Sequence, residues 1–384
     1  MDVIFRITLA KIRRGFKKNF IQSVSVFIST FIISFLFCFA VALNNFKTAD
    51  PTFGIPLQEG GDIAEYVQES EFTIYSIRGY FSDVIMDISF VAVLCAILSL
   101  TSIAVCARLR TEENKRFFAT LVSVGATRRQ RRSVSKLETG ITFVLPIILG
   151  SFLGIVPSEY VYDRVVDFFL SDYIAFSASL LIPIAISVVG IITVLMFGCA
   201  PHFKRRGSVI ESIRIRNKDE EGTIHGYRNS KVFKRLPIVN RLAEKNMLFH
   251  KRAYSRLSVM YSIVAAYPIL AVFFFVLLAQ KGVTDYTPLY GIDAVAIANI
   301  FTLNIAAFGA VAFLILAVLA TIQTVYLVDM QKRVRGESLY IYKSIGMTDE
   351  SIKKMLKIEN SRARCIALLF VAIYTCLLIA FALT

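Results

Sequence analysis

The chain has 384 residues, 56% of them hydrophobic, and a formal net charge of +15. Mean hydropathy is +0.62, and apolar runs of about 20 residues recur along the chain, which water cannot keep in solution. A soluble enzyme is therefore excluded, and the pI of about 9.6 reports membrane topology rather than nucleic-acid binding.

In chain order, Phe5, Leu9, Ile12 and Phe16 fall at i, i+4, i+7 and i+11, while Arg6, Lys11, Arg13, Arg14 and Lys17 occupy the other faces. That pattern predicts an amphipathic helix lying on the inner membrane surface before the chain enters the bilayer. Seven spans are then predicted, over 20–43, 84–107, 140–156, 173–200, 257–279, 294–328 and 365–383. The third is short. The sixth, at 1.5 Å per residue, reaches about 52 Å against a hydrocarbon core of about 30 Å, so it should project from the membrane as one helix.

Between these spans, 39 of the 43 lysines and arginines fall in the N-terminal segment and in three loops, 108–138, 202–256 and 329–364. This places the N-terminus in the cytoplasm and, with seven crossings, Thr384 outside. The first apolar run is too long for a cleaved signal and reads as a retained span. Cys38, Cys95, Cys106, Cys199, Cys365 and Cys376 lie within or beside spans without metal-site spacing, and His202, His225 and His250 are spread along one polar loop. No catalytic or metal centre is expected. Asn299, Asn304 and Gln323 read as hydrogen-bonding groups between helices, Gly150 and Gly154 as a close-packing face, and Pro146, Pro183 and Pro268 as kinks.

The inner loops repeat a phrase. Ser123-Val124-Gly125-Ala126-Thr127 precedes Lys136-Leu137-Glu138, and Ser344-Ile345-Gly346-Met347-Thr348 precedes Lys357-Ile358-Glu359, with all shared positions displaced by 221 residues. Lys18 and Ser25 match Lys251 and Ser258 at a spacing of 233. Both units begin inside and run the same way. The expected organisation is all-α and polytopic, with two parallel repeats of four and three spans, at 1–201 and 241–384, joined by a cytoplasmic linker at 202–240. Outer loops are expected to be small, with 44–83 too short to fold alone.

Thr348 is placed to cap a helix whose first turn holds Asp349 and Glu350, as the helix dipole favours. Thr127 can cap its counterpart, but Arg128 and Arg129 oppose the dipole by about 0.3–1 kcal/mol each. Residues that weaken a helix in this way can serve a partner or anionic lipid instead. On the outer side Glu159, Asp163 and Asp167 recur every four residues beside Val161, Val165, Phe168 and Phe169. This predicts an amphipathic helix on the outer surface, its apolar side to lipid, whose acids could gather cationic substrates.

The paired S-x-G-x-T phrases, each after a span and before a helix ending in K-[LI]-E, resemble the FtsX-like permease family, membrane subunits of the ABC superfamily. That family includes MacB-type, lipoprotein-release and bacitracin-resistance-type permeases. The resemblance implies a non-enzymatic subunit of a bacterial cytoplasmic membrane with no cofactor of its own, driven by a separate, dimeric cytoplasmic ATPase that binds ATP and magnesium. The chain has no Gly-Lys dipeptide and so no P-loop lysine. The resemblance places the ATPase contact at Gly125, Thr127, Arg128 and Arg129, and at Gly346, Thr348, Asp349 and Glu350. It implies export or removal of an amphipathic peptide, antibiotic or lipid-like substrate at the outer leaflet. The alternatives are a mechanotransmitting permease without transport, and an accessory or immunity protein that binds a second permease. Against the eight or ten spans and the sizeable external domain that the resemblance implies, seven spans and no such domain are expected here.

Overall fold

The computed structural model describes residues 2–48, 63–169, 176, 179–199, 237–249, 251–281, 292–334 and 336–383. Among them every regular element is helical. Helix α1 (Asp2–Arg14) turns at Gly15 into α2 (Phe16–Thr48), and α3 (Ile63–Ser123) leads to α4 (Arg128–Thr139). A π turn at Gly140–Val144 then joins α4 to α5 (Leu145–Leu153), which α6 (Ile155–Phe169) follows after Gly154 alone. Helix α7 (Leu181–Val194) ends in a second π turn, Leu195–Cys199. The second half comprises α8 (Ile238–Phe249), α9 (Lys251–Lys281), α10 (Ile292–Val334), α11 (Gly336–Ser344) and α12 (Asp349–Leu383). Most of the expected linker 202–240, with His202 and His225, lies outside the described residues, as does His250.

Among the described residues, six helical stretches are long and apolar enough to cross a membrane: Asn19–Asn45, Val84–Thr111, Arg129–Asp163, Ala253–Leu278, Ile305–Asp329 and Asp349–Phe381. The fourth expected span appears as a shorter apolar helix, Leu181–Phe197, of about 25 Å at helical rise. The third is not short, because α4 and α6 continue it on both sides. The sixth expected span is indeed one helix, α10, of 43 residues, or about 64 Å. The outer segment 44–83, expected to be a loop, contributes its second half to α3. That helix runs 61 residues without a break, about 92 Å, because no proline follows Pro56 until Pro146.

The largest core joins both halves. Leu36, Phe39 and Leu43 of α2, Ile88 and Val91 of α3, Leu257 and Leu270 of α9, and Phe313 and Leu316 of α10 are buried together. Close approach explains two of the glycine positions. A Cβ on Gly154 would lie 2.7 Å from the Phe31 carbonyl oxygen and 2.8 Å from Ser34 Cβ, and one on Gly150 would strike Thr30 and the Phe27 carbonyl. Gly150 and Gly154 thus let α5 press against α2, where Ser34 Oγ donates to the Ser151 carbonyl at 2.5 Å. Pro146, at the start of α5, cannot donate to the turn before it. The Thr142 carbonyl, which an amide at 146 would reach at α spacing, accepts from Ser23 Oγ at 3.0 Å. The π turn and this proline together interrupt the regular helix between α4 and α5. Pro268, by contrast, sits inside α9 without dividing it.

Gln323 acts as helix glue, as the sequence predicts. Its Oε1 accepts from Ser102 Oγ of α3 at 2.7 Å, and its Nε2 donates to Ser25 Oγ of α2. Asn299 and Asn304 lie in α10 with side chains outside the described set. Ser99 of α3 and Tyr267 of α9 share a hydrogen bond at 2.9 Å, which ties the two halves together. The buried Cys38, Cys95 and Cys106 and the exposed Cys365 and Cys376 are free thiols.

Candidate functional site

The two repeated phrases fold into closely similar turns. In the first, Gly125 has φ of +89°, its N–H donates to the Val122 carbonyl at 3.0 Å, and Ala126 N–H donates to the Leu121 carbonyl at 2.9 Å. In the second, Gly346 has φ of +98°, with Gly346 N–H to Lys343 at 3.1 Å and Met347 N–H to Tyr342 at 3.0 Å. Both are helix ends closed through a left-handed glycine, the conformation in which a Cβ costs most. The residue before each glycine is pushed into the open: Val124 is 85% exposed and Ile345 75%.

A threonine then starts the next helix in each copy. Thr127 Oγ1 accepts from Gln130 N–H at 3.3 Å while Gln130 Oε1 accepts from Thr127 N–H at 2.9 Å, a complete capping box. Thr348 Oγ1 accepts from Ser351 N–H at 3.2 Å. Sequence reasoning found both caps but missed Gln130, although its T-x-x-Q spacing is a recognisable signal. The capping box helps α4 form despite Arg128 and Arg129 in its first turn. Arg129 is exposed, and the Arg128 side chain lies outside the described set. Asp349 and Glu350 are exposed at the start of α12, and Asp349 pairs with Lys343 across the turn at 3.0 Å.

The glutamates that close the two phrases are buried, and sequence reasoning gave them no role. Glu138 accepts from Lys11 Nζ of α1 at 2.6 Å, from Arg110 Nη2 and Nε of α3 at 2.6 and 3.0 Å, and from Asn114 Nδ2 at 3.0 Å. Arg110 also donates to Asn19 and, at 3.1 Å, to Gln22. Lys11 Nζ further donates to Asn114 Oδ1 at 2.7 Å and sits 4.2 Å from the Phe117 ring centroid. Glu138 is thereby the point where α1, α3 and α4 are joined. Glu359 stands in the corresponding place in α12. It accepts from Asn246 Nδ2 of α8 at 3.2 Å and from the Tyr254 hydroxyl of α9, while the Tyr342 hydroxyl of α11 donates to Asn246 Oδ1 at 3.0 Å. Arg362 pairs with Glu244 of α8 nearby.

The acids expected on the outer side are not brought to these turns. Glu159 and Asp163 are exposed on α6, about 20 residues of helix beyond Glu138, or about 30 Å. The Asp167 side chain lies outside the described set. Helix α6 is fixed by its other face: Ser158 and Tyr162 are buried, and the Tyr162 ring meets Phe176 edge-on at 5.4 Å. Its Ser158–Tyr162 side therefore rests on protein, while the side chains of Val165, Phe168 and Phe169, which the sequence pattern turned to lipid, lie outside the described set. Among the described residues no group of three potential metal ligands occurs.

Residues 89–206 match the family model of the FtsX-like permease C-terminal domain. The chain therefore carries an FtsX-like permease C-terminal domain over this stretch. No curated protein and no solved structure gives a significant match. The matched stretch contains the turn at Gly125, helix α4 and Glu138, so the family assignment falls on the segment with the buried ion cluster. With its apolar helices, this makes the chain a multi-pass membrane permease of the ABC-system type. Such permeases are typically non-enzymatic subunits that act with an ATPase.

Proposed function

We propose that this permease is the membrane subunit of an ABC transporter whose separate, dimeric ATPase docks on the turns at Gly125 and Gly346. The observation that carries the reading is the matched pair of turns, each with an exposed aliphatic tip before a left-handed glycine and a threonine cap after it. Two alike surfaces 221 residues apart suit a partner with two alike subunits, and they favour a parallel duplication of the chain. Gly125, Thr127, Gly346 and Thr348 fix the shape of the turns. Arg128, Arg129, Asp349 and Glu350 supply charge at their rims. The chain sits in a bacterial cytoplasmic membrane with its N-terminus inside. ATP-driven closure of the partner then moves α4 and α12, with removal or export of an amphipathic substrate at the outer leaflet. Glu159, Asp163 and Asp167 would attract cationic forms of that substrate.

Helix α3 gives weight to a second reading, mechanical signalling without transport. Its 61 residues end at the inner turn and extend well past the second span, so movement of the turn would be felt at the far end of one rod. Both readings are tested by purifying the tagged protein from its native membranes in mild detergent, with and without non-hydrolysable ATP. Recovery of an ATPase with a P-loop is expected, and reversing the charge of Arg128 and Arg129 should abolish its association while leaving membrane insertion intact. Recovery of only a second permease would overturn ATP coupling and leave an accessory protein.

A further inference from the structure

Helix α1 has three distinct sides at about 100° per residue. One faces protein: Thr8 is buried, and Lys11 reaches Glu138. A second is a half-uncovered apolar stripe, with Phe5 50% and Leu9 51% exposed, and Phe16, past the Gly15 turn at the start of α2, is 59% exposed. Arg6 and Arg13, seven residues apart and both exposed, form the third, flanking the stripe on the side away from Glu138. An apolar stripe edged by guanidinium groups, leading within a few residues into a span, matches a bilayer surface bearing phosphate headgroups.

The buried ion cluster gives this surface a mechanical consequence. Lys11 leaves α1 on its protein side and ends on Glu138, one residue before the end of α4, and Arg110 clamps the same carboxylate from α3. Val134 of α4 is also buried, so α4 is held by both packing and charge. We propose that α1 binds anionic phospholipid headgroups and that the Lys11–Glu138–Arg110 cluster transmits its seating to α4, so that lipid charge under α1 regulates the turn at Gly125. Lys11 acts here as a positioning residue. The regulation is independent of which partner, if any, docks on the turn.

The chain has no tryptophan, so Phe5→Trp introduces a single fluorescent reporter. The full-length protein is placed in nanodiscs of phosphatidylcholine alone or mixed with phosphatidylglycerol. Emission and quenching by bromolipid are read at position 5, and amide hydrogen exchange is read over 128–139. Phosphatidylglycerol should shift the Trp emission to the blue, deepen the quenching and slow exchange in α4, by about fivefold for each arginine engaged. Arg6→Glu with Arg13→Glu should abolish both effects. Lys11→Met should keep the lipid response at position 5 and lose it in α4. Unquenched emission, or quenching indifferent to phosphatidylglycerol, would overturn the lipid site. A lipid response in α4 that survives Lys11→Met would overturn the transmission. The same slowing produced by inorganic phosphate in phosphatidylcholine discs would show a phosphate site and overturn the bilayer one. Should Lys11→Met fail to fold, the exposed arginine pair alone decides: slowing in α4 that persists without it refutes the proposal.

Discussion

After the turn at Gly125 the chain runs 12 residues as α4 before a π turn and Pro146 interrupt it. After the turn at Gly346 it runs 35 residues as α12, from the capped start to the far side of the last span. The first turn is thus joined to its span through a break in the regular helix, and its position is fixed sideways, by Glu138 to α1 and α3. The second is joined through continuous helix, so displacement at Thr348 is displacement of the span itself. Alike surfaces would then convert one push into two motions, a tilt of α4 about the π turn and a rigid shift of α12. The same contrast shows in the partners of the buried glutamates: α1 and α3 hold Glu138, whereas α8 and α9 hold Glu359.

The largest test of this contrast is Glu138→Gln, which leaves Lys11 and Arg110 facing a neutral amide. Thermal unfolding in mild detergent should show a loss of about 3–5 kcal/mol. A loss below about 1 kcal/mol would mean that packing alone holds α4 and that the ion cluster is incidental.

Next come Gly125→Ala and Gly346→Ala. Neither Cβ would meet another atom within 4 Å, so only the left-handed backbone is taxed, by about 1–2 kcal/mol at each site. The two losses should agree. A clear inequality would break the equivalence of the turns on which the proposed shared docking rests.

The smallest effect is expected at Pro146→Ala, at most about 1 kcal/mol in either direction. The new N–H would compete with Ser23 for the Thr142 carbonyl, and hydrogen exchange around 140–146 should slow as the helix becomes regular. Unaltered exchange there would show that Gly140 and the packing on α2, rather than the proline, maintain the break.

Most of the helical plan was legible because its signals are local. Apolar runs located six of the seven expected spans as helices long enough to cross a membrane, and the length of α10 followed from one uninterrupted run. Gly150 and Gly154 announced a close approach, and Thr127 and Thr348 announced helix starts. The errors have local causes too. Helix α3 begins earlier than its apolar stretch because polar helix formers extend a helix as readily as leucine does, so hydropathy marked the membrane portion and not the helix. Helix α6 displays a regular acidic face, and that face says nothing of whether Tyr162 on the other side meets lipid or Phe176.

The candidate site divides in the same way. The sequence by itself determined a multi-pass helical membrane protein, its two glycine turns, their caps and the charges on their rims, because hydropathy, φ preference and capping act within a few residues. Only the tertiary structure decided that Glu138 closes a buried cluster with Lys11, Arg110 and Asn114, that Glu359 meets Asn246 and Tyr254, and that Gln323 ties α10 to α2 and α3. Those partners lie from 24 to 298 residues apart. A buried charge or amide requires compensation but does not name its source, and which donor supplies it is fixed by how the helices pack.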